Sequence, residues 1–507
     1  MSMPTLCMAD LPAVSGPRGA RHLRPTSADR RSPASAERCR RVPITVLDGA
    51  RGPETRPNGL NRIAADRPPH ESQRKSDSRG RSISAIWHAT MANSMSIRVC
   101  MLLYGPVQHD SRVRKEAATL VEAGFEVVIG ALPERREAEE RMLDGARVIP
   151  VHPMVAGALF PDSTSPFLSV AEEGRGSKLQ RRVAWLWRYG RTLRAWSDEA
   201  LRILPRADIW HGHDLFGLWA AARLRARHGG RLVYDSHELF LELGTAARLP
   251  TIARRVLFVL ERRLARGADA VITVNDSIAA ELARRYGLSP TVVMNCSEIP
   301  TIHGHHPLRR AFGLGQRPVV LFHGALQEGR GLAQLVGAIP LLTGAAAVVL
   351  LGDGPLHELY RQVASTATYA EKLYVHPAVD REVLPEWVAD ADVGVVPFQA
   401  VDYNHYLATP NRLFDYLAAG VPVVVSDFPE LRRIVDETDA GLTCDPAKPA
   451  SIAAAINRLL DEPESQREQR HERARAGARD RYNWPAQGMK LLETYRSISA
   501  LDGPWGR

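Results

Sequence analysis

The sequence predicts an α/β protein with two doubly wound, Rossmann-like domains in series, preceded by a disordered tail. Beyond residue 95, short apolar segments alternate with amphipathic helices, which is typical of doubly wound α/β domains. Residues 303–317 are rich in Gly, Pro and polar side chains and interrupt this alternation once. A chain of 507 residues with 45% hydrophobic content is long enough for two or three domains with buried cores.

These observations divide the chain into five segments: a tail (1–95), an N-terminal domain (96–302), a linker (303–317), a C-terminal domain (318–480) and a final helical segment (481–507). Apolar runs predict N-terminal strands at 97–104, 126–132, 147–152, 208–211, 231–235, 270–274 and 291–295. They predict C-terminal strands at 318–323, 346–351, 373–376, 392–398 and 421–425. Residues 484–501 are predicted to form the last helix.

The basic charge is concentrated in the tail. Of the net charge of +9, residues 1–95 contribute 16 Lys or Arg against 8 Asp or Glu, so the remaining 412 residues carry about +1. The tail is rich in Arg, Pro and Ser and is predicted to be disordered. Met91 and Met95 just precede the first strand, which favours a start site assigned too early. A nucleic-acid-binding arm is disfavoured because aromatic residues are not interleaved with the basic ones.

The cysteines and the hydropathy pattern favour a reduced, cytoplasmic protein. Cys7, Cys39, Cys100, Cys296 and Cys444 show no metal-ligand spacing, and the last three lie in or beside apolar strands. The longest apolar stretch, 335–351, is interrupted by Pro, Thr and Gly, and it is shorter than the ~20 residues that a membrane span needs.

The segment 404–427, NHYLATPNRLFDYLAAGVPVVVSD, indicates a phosphate-binding helix that leads into a buried strand. Thr409 is predicted to cap the helix and Pro410 to occupy its first position. The first-turn N–H groups of Asn411, Arg412 and Leu413 then form an anion site at the positive helix end. Asp415, four residues after Asn411, lies on the same helix face and is placed for ribose hydroxyls.

The residues PNRLFDYLAAGVPVV also resemble the donor-site motif of the family 4 retaining glycosyltransferases, in the subgroup with P-N-K-L-F-E-Y-x-A-A-G-x-P. The resemblance covers roughly the 400 residues after the tail. It implies the GT-B fold, in which two Rossmann-like domains face a cleft, with an acceptor-binding N-terminal domain and a C-terminal domain that binds a nucleotide-diphosphate sugar. The last helix would cross back to the N-terminal domain.

The segment HGALQEGRGL, 323–332, resembles the family's G-R-x-x-x-x-K-G loop, which holds the donor diphosphate. Gly324 and Gly331 permit tight turns, and Arg330 replaces the family's lysine. Ala325 replaces the first cation, so we expect Arg412 to supply the missing charge. By resemblance, Gly352 in LLGDGP and His376 in VHPAV also contact the donor.

One position departs from the family pattern. Many members carry two glutamates with seven residues between them, the first on the donor sugar and the second on the ribose. Asp415 takes the second place, whereas the first place is Leu407, which cannot accept a hydrogen bond. The polar residues Asn404, His405 and Tyr406 are then the candidates for contact with the sugar.

In the N-terminal half, RLVYDSHELF ends a predicted strand at the sheet edge where α/β sites lie. His237 matches the family histidine that faces the reaction centre, and Asp235 and Glu238 are placed to orient it or to contact acceptor hydroxyls. The second cluster, WHGHDLFGLW, contains His213 and Asp214. H-x-H-D suggests a metal, but no third ligand follows at suitable spacing, so we interpret it as lining of the acceptor cleft.

The remaining acceptor-cleft candidates come from two loops. In YGPVQHDSRVRKEA, Gly105 allows the chain to turn beneath the cleft, and Asp110 or Ser111 caps the next helix. Arg112 is a candidate contact for an anionic acceptor. Asn295 occupies the place of the family's N-G after a strand.

The basic, Trp-containing segment 178–196 permits two interpretations. It is an amphipathic helix that packs on the N-terminal domain, which we favour, or a peripheral contact with the inner face of an anionic membrane.

The resemblance implies a retaining transfer of a sugar from a nucleotide-diphosphate sugar to a hydroxyl of a glycan, lipid-linked or small-molecule acceptor. His237, Arg330 and Asp415 are the predicted catalytic residues, with no metal and no cofactor beyond the donor substrate. Two alternatives remain: a catalytically degenerate nucleotide-sugar-binding protein, and a GT-B nucleotide-sugar epimerase.

Overall fold

The computed structural model describes residues 96–134, 139–154, 178–247 and 249–499, without the side chains of 178–186, 245 and 247. The predictions for the tail, its methionines, Cys7 and Cys39 lie outside the described residues. The side chains of residues 178–186 in the basic segment and residues 500–501 of the predicted last helix also lie outside the described residues.

The N-terminal domain is a doubly wound α/β unit around an eight-stranded sheet. The sheet order is β3-β4-β2-β1-β5-β6-β7-β8, and only the short β3 runs antiparallel to its neighbour. Its strands are β1 (Arg98–Leu103), β2 (Glu126–Ala131), β3 (Arg141–Leu143), β4 (Ala146–Pro150), β5 (Ile209–His213), β6 (Arg231–Ser236), β7 (Ala270–Thr273) and β8 (Thr291–Val292). Its helices are α1 (Ser111–Glu122), α2 (Lys178–Ile203), α3 (Asp214–His228), α4 (Gly244–Ala247), α5 (Thr251–Arg266) and α6 (Asp276–Tyr286).

The C-terminal domain is a second doubly wound unit, with six parallel strands in the order β11-β10-β9-β12-β13-β14. The strands are β9 (Val319–His323), β10 (Ala347–Leu351), β11 (Leu373–His376), β12 (Val393–Val396), β13 (Val423–Ser426) and β14 (Gly441–Cys444). The helices are α7 (Pro307–Phe312), α8 (Leu332–Ala338), α9 (His357–Ala364), α10 (Leu384–Ala389), α11 (Tyr403–Leu407), α12 (Asn411–Ala419), α13 (Pro429–Thr438), α14 (Pro449–Leu460), α15 (Glu464–Asp480) and α16 (Trp484–Ser499). Short 3₁₀ turns occur at Val107–His109, Phe240–Glu242 and Ile339–Leu341.

The two parallel sheets confirm the predicted fold class. The central strands are buried along their whole length, as in β9 and β10, because helices cover both faces of each sheet. Every predicted strand overlaps an observed one. The structure adds β3, which is short and largely exposed, and β14, whose sequence GLTC lacks a long apolar run.

Two segments connect the domains. Residues 303–317 include helix α7, whose Leu308 is fully buried in a core cluster with strands of the C-terminal sheet. Helix α16 lies against the N-terminal domain, where the Trp484 indole donates to Thr119 Oγ1 at 2.9 Å and Tyr495 packs edge-on against Phe125. The chain therefore returns to its first domain after completing the second.

Cys100, Cys296 and Cys444 are buried free thiols. None of the helices in the described ranges combines the length and apolar character required to cross a bilayer.

The carboxyl ends of the strands in the two sheets face each other, and hydrogen bonds join the domains there. The side-chain amide of Asn295 donates to Asn411 Oδ1 at 2.9 Å. The Leu239 amide donates to Asn404 Oδ1 at 2.9 Å. These bonds border a cleft at the sheet edges, where ligands of open α/β sheets bind.

Candidate active site

His237 follows strand β6 and is surrounded by charged groups from neighbouring strands. Its Nε2 lies 3.0 Å from Asp235 Oδ2 and 3.1 Å from His213 Nδ1. Its backbone N–H donates to Asp214 Oδ1 at 2.9 Å, which fixes the turn after the strand. Strands β5 and β6 are parallel neighbours, with His213 in register with Asp235, so both histidines reach the same sheet edge.

The two histidines differ in charge. Burial disfavours the imidazolium of His237, but the carboxylates of Asp214 and Asp235 outweigh burial and raise the pKa of His237 to about 10. Burial lowers the pKa of His213, which lies deeper. At neutral pH, His237 is therefore a cation at the cleft surface, backed by a neutral histidine.

Arg112 does not line an open acceptor site, because its guanidinium is buried and fully engaged. It forms a bidentate pair with Asp235 at 2.7 and 2.8 Å, donates to Val293 O at 2.6 Å, and lies 3.0 Å from Glu116 Oε1. Burial alone would raise the pKa of Asp235, but Arg112 and His237 hold it well below its ordinary value. Arg112 thus keeps Asp235 ionised beneath His237.

The sequence offers no third metal ligand close to the H-x-H-D cluster, but the fold brings two distant carboxylates to its histidines. Glu116 and Asp235 join His211 and His213, all buried, with potential ligand atoms within 4.8 Å of one another. However, Arg112 already contacts both carboxylates, and burial raises the pKa of Glu116 to about 8. A guanidinium therefore supplies the positive charge in this cluster.

The other N-terminal candidates lie at the cleft edge with mainly structural contacts. Asp110 caps α1, and its Oδ1 accepts from the N–H groups of Arg112 and Val113 at 3.1 and 3.0 Å. Gly105 follows β1, and its carbonyl accepts from the Leu132 amide at 3.1 Å. The Asn295 amide is engaged with both domains, whereas its Oδ1 is buried without a partner among the described residues.

On the C-terminal side, three glycines allow close backbone contacts. Gly324 and Gly331 have positive φ angles, +107° and +78°. A Cβ on Gly331 would lie 1.8 Å from Pro397 O, and one on Gly352 would lie 2.1 Å from Gly324 O. Residues with side chains therefore cannot replace Gly331 or Gly352 without displacing the loops.

Arg412 lies directly beneath the Gly324 turn, because its Nη2 would lie 2.9 Å from a Cβ at that glycine. Its guanidinium stacks on Phe322, with 4.0 Å from Cζ to the ring centroid, and it is only 7% exposed. Nη1 has no hydrogen-bond partner among the described residues, and burial lowers the pKa of Arg412 to about 9. Arg412 forms no ion pair with the described residues, and such a buried cation is costly unless an anion joins it.

Arg330 lies on the same side of the cleft, with its guanidinium 4.6 Å from the Phe398 ring centroid. Burial lowers the pKa of Arg330, and the carboxylate of Glu238 across the cleft partly opposes that shift. Phe398 also lies 5.5 Å from the Arg412 guanidinium, so both cations contact one aromatic ring.

The start of α12 differs from the prediction by one residue. Pro410 is extended at the N-cap and the helix begins at Asn411. Pro410 and not Thr409 occupies the N-cap, so no side chain caps the helix, and the Thr409 hydroxyl instead accepts from Asn275 Nδ2 at 2.9 Å. The Leu413 amide donates to Pro410 O at 3.0 Å, so it is not a free first-turn donor, and the Leu413 side chain is core.

Asp415 lies one turn deeper, as its spacing predicts. Its Oδ1 accepts from Ser297 Oγ at 2.5 Å, and its Oδ2 lies 3.7 Å from His323 Nε2. Burial lowers the pKa of His323 to about 4, so this histidine is neutral. Asp415 is thus held between both domains while its side chain stays partly exposed.

Leu407 has a packing role. It is 5% exposed and belongs to an apolar cluster with four N-terminal residues: Leu239, Ile278, Leu282 and Tyr286. The Leu407 carbonyl accepts from Asn275 Nδ2 at 2.8 Å. Asn404 is also bound to the N-terminal domain, because its Oδ1 accepts a hydrogen bond from the Leu239 backbone amide. His405 pairs with Asp402 at 2.8 Å, and the Tyr406 ring packs at a tilt against Phe428, with ring centroids 5.1 Å apart.

Glu238 and His376 complete the list of predicted positions. Glu238 is exposed in the cleft, where crowding by protein atoms and the nearby Asp214 raise its pKa to about 7. His405 and Arg330 act on it from the C-terminal domain and oppose that rise. His376 ends β11 beside Trp387, with ring centroids 4.5 Å apart.

Sequence reasoning did not select several residues that hold the site together: Glu116, Asn275, Ser297 and His323. Asn275 follows β7 and Ser297 follows β8, so their positions after strands offered a signal for the cleft edge. The local sequence around Glu116 and His323 does not indicate a role at the site, since a single polar residue in an apolar helix or strand can occur for many structural reasons.

Comparisons with known proteins agree with this geometry. Residues 110–296 match a family model described as a glycosyl transferase 4-like domain, and residues 317–462 match one described as glycosyl transferases group 1. The chain is 24% identical over 249 residues to the alpha-D-kanosaminyltransferase of Streptomyces kanamyceticus, covering 47% of this chain and 63% of that protein. It is 28% identical over 319 residues to the D-inositol 3-phosphate glycosyltransferase of Thermomonospora curvata, covering 57% and 71%.

Solved structures show the same architecture. A sucrose-phosphate synthase from Thermosynechococcus elongatus superposes with a TM-score of 0.63 at 17% identity, covering 80% of this chain and all of that one. The Anabaena protein HepE in complex with UDP superposes with a TM-score of 0.57 at 15% identity, with the same coverage. The two halves of the chain are thus similar to glycosyl transferase domains, and the architecture is the GT-B fold.

Proposed function

We propose that the protein transfers a sugar from a nucleotide-diphosphate sugar, held by the C-terminal domain, to a hydroxyl group held by the N-terminal domain, with retention of anomeric configuration. The acceptor is a glycan, lipid-linked or small-molecule hydroxyl compound. The observation that carries the proposal is the buried Arg412 guanidinium, which faces the Gly324 turn with one nitrogen unpartnered among the described residues.

A diphosphate suits this position for three reasons. Arg412 and Arg330 supply two cations, and burial strengthens their attraction for an anion because the local dielectric is low. The N-terminus of α12 adds the positive end of a helix dipole. Gly324 and Gly352 let backbone atoms approach closely. The charge that builds on the departing diphosphate would be stabilised here.

Asp415 is placed for the ribose, one turn beyond the helix start, where its partly exposed carboxylate can accept from hydroxyl groups. The relatives and neighbours include enzymes named for GDP-mannose and structures bound to UDP or UDP-glucose. These names support a nucleotide-sugar donor and leave a choice among bases, which a donor panel resolves.

His237 acts as a cation in this proposal. With a pKa raised to about 10, it is protonated at neutral pH and is a poor general base. It would donate a hydrogen bond to the donor sugar or to the departing phosphate. The acceptor oxygen bonds to the anomeric carbon on the face from which the diphosphate leaves, and its proton passes to the leaving diphosphate.

The two arginines also favour a reaction that needs no metal ion, since they supply the positive charge that a divalent cation supplies in metal-dependent enzymes. We therefore expect transfer to persist in EDTA. Retention is to be read from the anomeric configuration of the product by NMR.

The donor site is tested by thermal stabilisation with UDP-, GDP-, ADP- and TDP-sugars. One donor should give saturable stabilisation of about 2.7 kcal/mol at a hundredfold excess over Kd. The variants Arg412→Met and Asp415→Ala should lose it, whereas Arg458→Met, at an exposed arginine of α14, should keep it. Methionine preserves the packing volume and removes the charge.

Equal stabilisation of the Arg412→Met variant and the parent protein would refute the diphosphate site. Donor binding without transfer or donor hydrolysis would support the catalytically degenerate protein, and a change of sugar stereochemistry without an acceptor would support the epimerase.

A further inference from the structure

Helix α5 carries an apolar stripe that faces away from the protein. Ile252, Val256 and Val259 are spaced three and four residues apart, so they lie on one helix face. Their exposed fractions are 78%, 61% and 62%. The opposite face packs inward, where Ala265 is buried and Glu261 accepts from Tyr234 and Tyr286 hydroxyls at 2.8 Å. This helix therefore buries one face and exposes a second apolar one.

Arginines lie beside and beyond the exposed stripe. Arg255, Arg262, Arg263 and Arg266 are all exposed, and none of them forms an ion pair with the described residues. The single acidic residue of the helix, Glu261, is on the buried face. The outward surface of α5 is thus apolar along its centre and positively charged along its edge, without a nearby carboxylate on the same helix.

An exposed tryptophan–arginine pair lies on the same side of the sheet as α5. Helices α2, α3 and α5 contribute Trp196, Leu218 and Ala265 to one core cluster, so all three cover one sheet face. On α2, Trp187 is 62% exposed, and the Arg191 guanidinium lies 4.6 Å from its ring centroid. Trp and Arg together suit the interface between lipid headgroups and acyl chains.

The positive charge on this surface favours an anionic membrane over a second copy of the chain as its binding partner. A second copy of the chain docked through α5 by two-fold symmetry would bring the arginines of both copies together, and like charges in an interface are costly. An anionic bilayer instead attracts the arginines and accepts the Ile and Val side chains among its headgroups. We propose that the outward face of α5, formed by Ile252, Arg255, Val256, Val259, Arg262 and Arg266, docks on an anionic membrane surface.

The test is co-sedimentation of the full chain with phosphatidylcholine vesicles, with and without phosphatidylglycerol. Binding should require phosphatidylglycerol and weaken as salt is added. Each arginine near an anionic surface contributes about 1 kcal/mol, so Arg255→Glu/Arg262→Glu should lower the partition coefficient by about thirtyfold or more. Val256→Glu/Val259→Glu should also release the protein.

Matched controls keep the test decisive. Arg310→Glu and Met489→Glu, at exposed positions on α7 and α16, should bind vesicles like the parent protein. Far-ultraviolet circular dichroism shows that each variant is folded. The proposal would be overturned if the α5 variants bound vesicles as well as the parent protein, or if the parent protein did not bind them. Self-association of the protein through α5 instead of vesicle binding would also overturn it. None of these readouts depends on transferase activity.

Discussion

At the scale of single residues, two histidines in the cleft differ in pKa because their surroundings differ. His213 and His237 are 3.1 Å apart, yet burial lowers the pKa of His213 whereas Asp214 and Asp235 raise the pKa of His237. The difference arises because His237 lies at the rim between two carboxylates. Asp235 can act this way because Arg112 keeps it ionised inside the protein.

The His237 charge makes stability depend on pH. Its pKa is about 10 in the folded protein and 6.5 in a model peptide, so the stabilisation is complete below about pH 6.5 and is lost as pH rises through 10. The upper bound is about 5 kcal/mol, from 1.4 kcal/mol per pKa unit. We expect the free energy of unfolding to fall less in His237→Gln than in the parent protein between pH 6.5 and 10.

Urea denaturation at a series of pH values measures this difference. His109→Gln, at an exposed histidine before α1, serves as the control and should follow the parent protein. Parallel pH profiles for His237→Gln and the parent protein would show that His237 is not charged as inferred.

The sequence was sufficient to select His237, Arg412 and Asp415 as polar residues at strand or helix ends. It was insufficient for Arg112, which was predicted to contact an acceptor and instead pairs with Asp235, 123 residues later. The strand order decides which charged side chains become neighbours, and a local sequence pattern does not contain that information.

At the scale of elements, the five-residue helix α11 belongs to the C-terminal half but is fastened to the N-terminal domain. Asp402 Oδ2 accepts from the Gly244 amide at 2.8 Å, Asn404 accepts from Leu239, and Asn275 donates to Leu407 O and Thr409 Oγ1. Because Pro410 follows at once, this attachment holds the start of α12 against the N-terminal domain. Helix α12 is therefore positioned by both domains.

Restoring the glutamate common in the family at position 407 should harm this protein. Leu407→Glu would place a carboxylate in the cluster with Leu239, Ile278, Leu282 and Tyr286. We expect a loss of about 3 kcal/mol or an opened cleft, because a buried unpaired charge is expensive. Leu407→Met, which keeps volume and apolar character, should cost less than about 1.5 kcal/mol.

Chemical denaturation measures the stability of the two variants, and small-angle X-ray scattering measures the opening of the cleft. A Leu407→Glu protein as stable and compact as Leu407→Met, with tighter donor binding, would show that position 407 faces the sugar and not the domain interface.

At the scale of the whole molecule, the last helix completes the first domain. Trp484, Leu491, Tyr495 and Ile498 of α16 lie in one core cluster with strands β1 and β2. The Tyr495 hydroxyl lies 2.7 Å from His211 Nδ1, beneath the charged cluster that supports His237. The N-terminal domain thus depends on residues nearly 400 positions after its first strand.

Tyr495→Phe should therefore destabilise the N-terminal domain by about 1–3 kcal/mol, because it leaves His211 Nδ1 buried without its partner. Thermal denaturation measures the loss, with the exposed Tyr406→Phe as the control. The loss should shrink when His211 is replaced by Phe, since the ring nitrogen that the Tyr495 hydroxyl contacts is then also removed. An unchanged melting temperature in Tyr495→Phe would contradict this role of α16.

The sequence by itself determined the alternation of strands and helices and the two-domain α/β class, and it led to the prediction that the PNRLFD segment binds phosphate. These depend on local propensity and on periods of two and 3.6 residues, which a linear sequence records directly. Only the tertiary structure decided that Arg112 is buried, that Leu407 is a domain anchor, that Thr409 bonds to Asn275, and that Arg412 lies beneath Gly324. Each of these depends on which strand ends become neighbours, and long-range packing alone sets that arrangement.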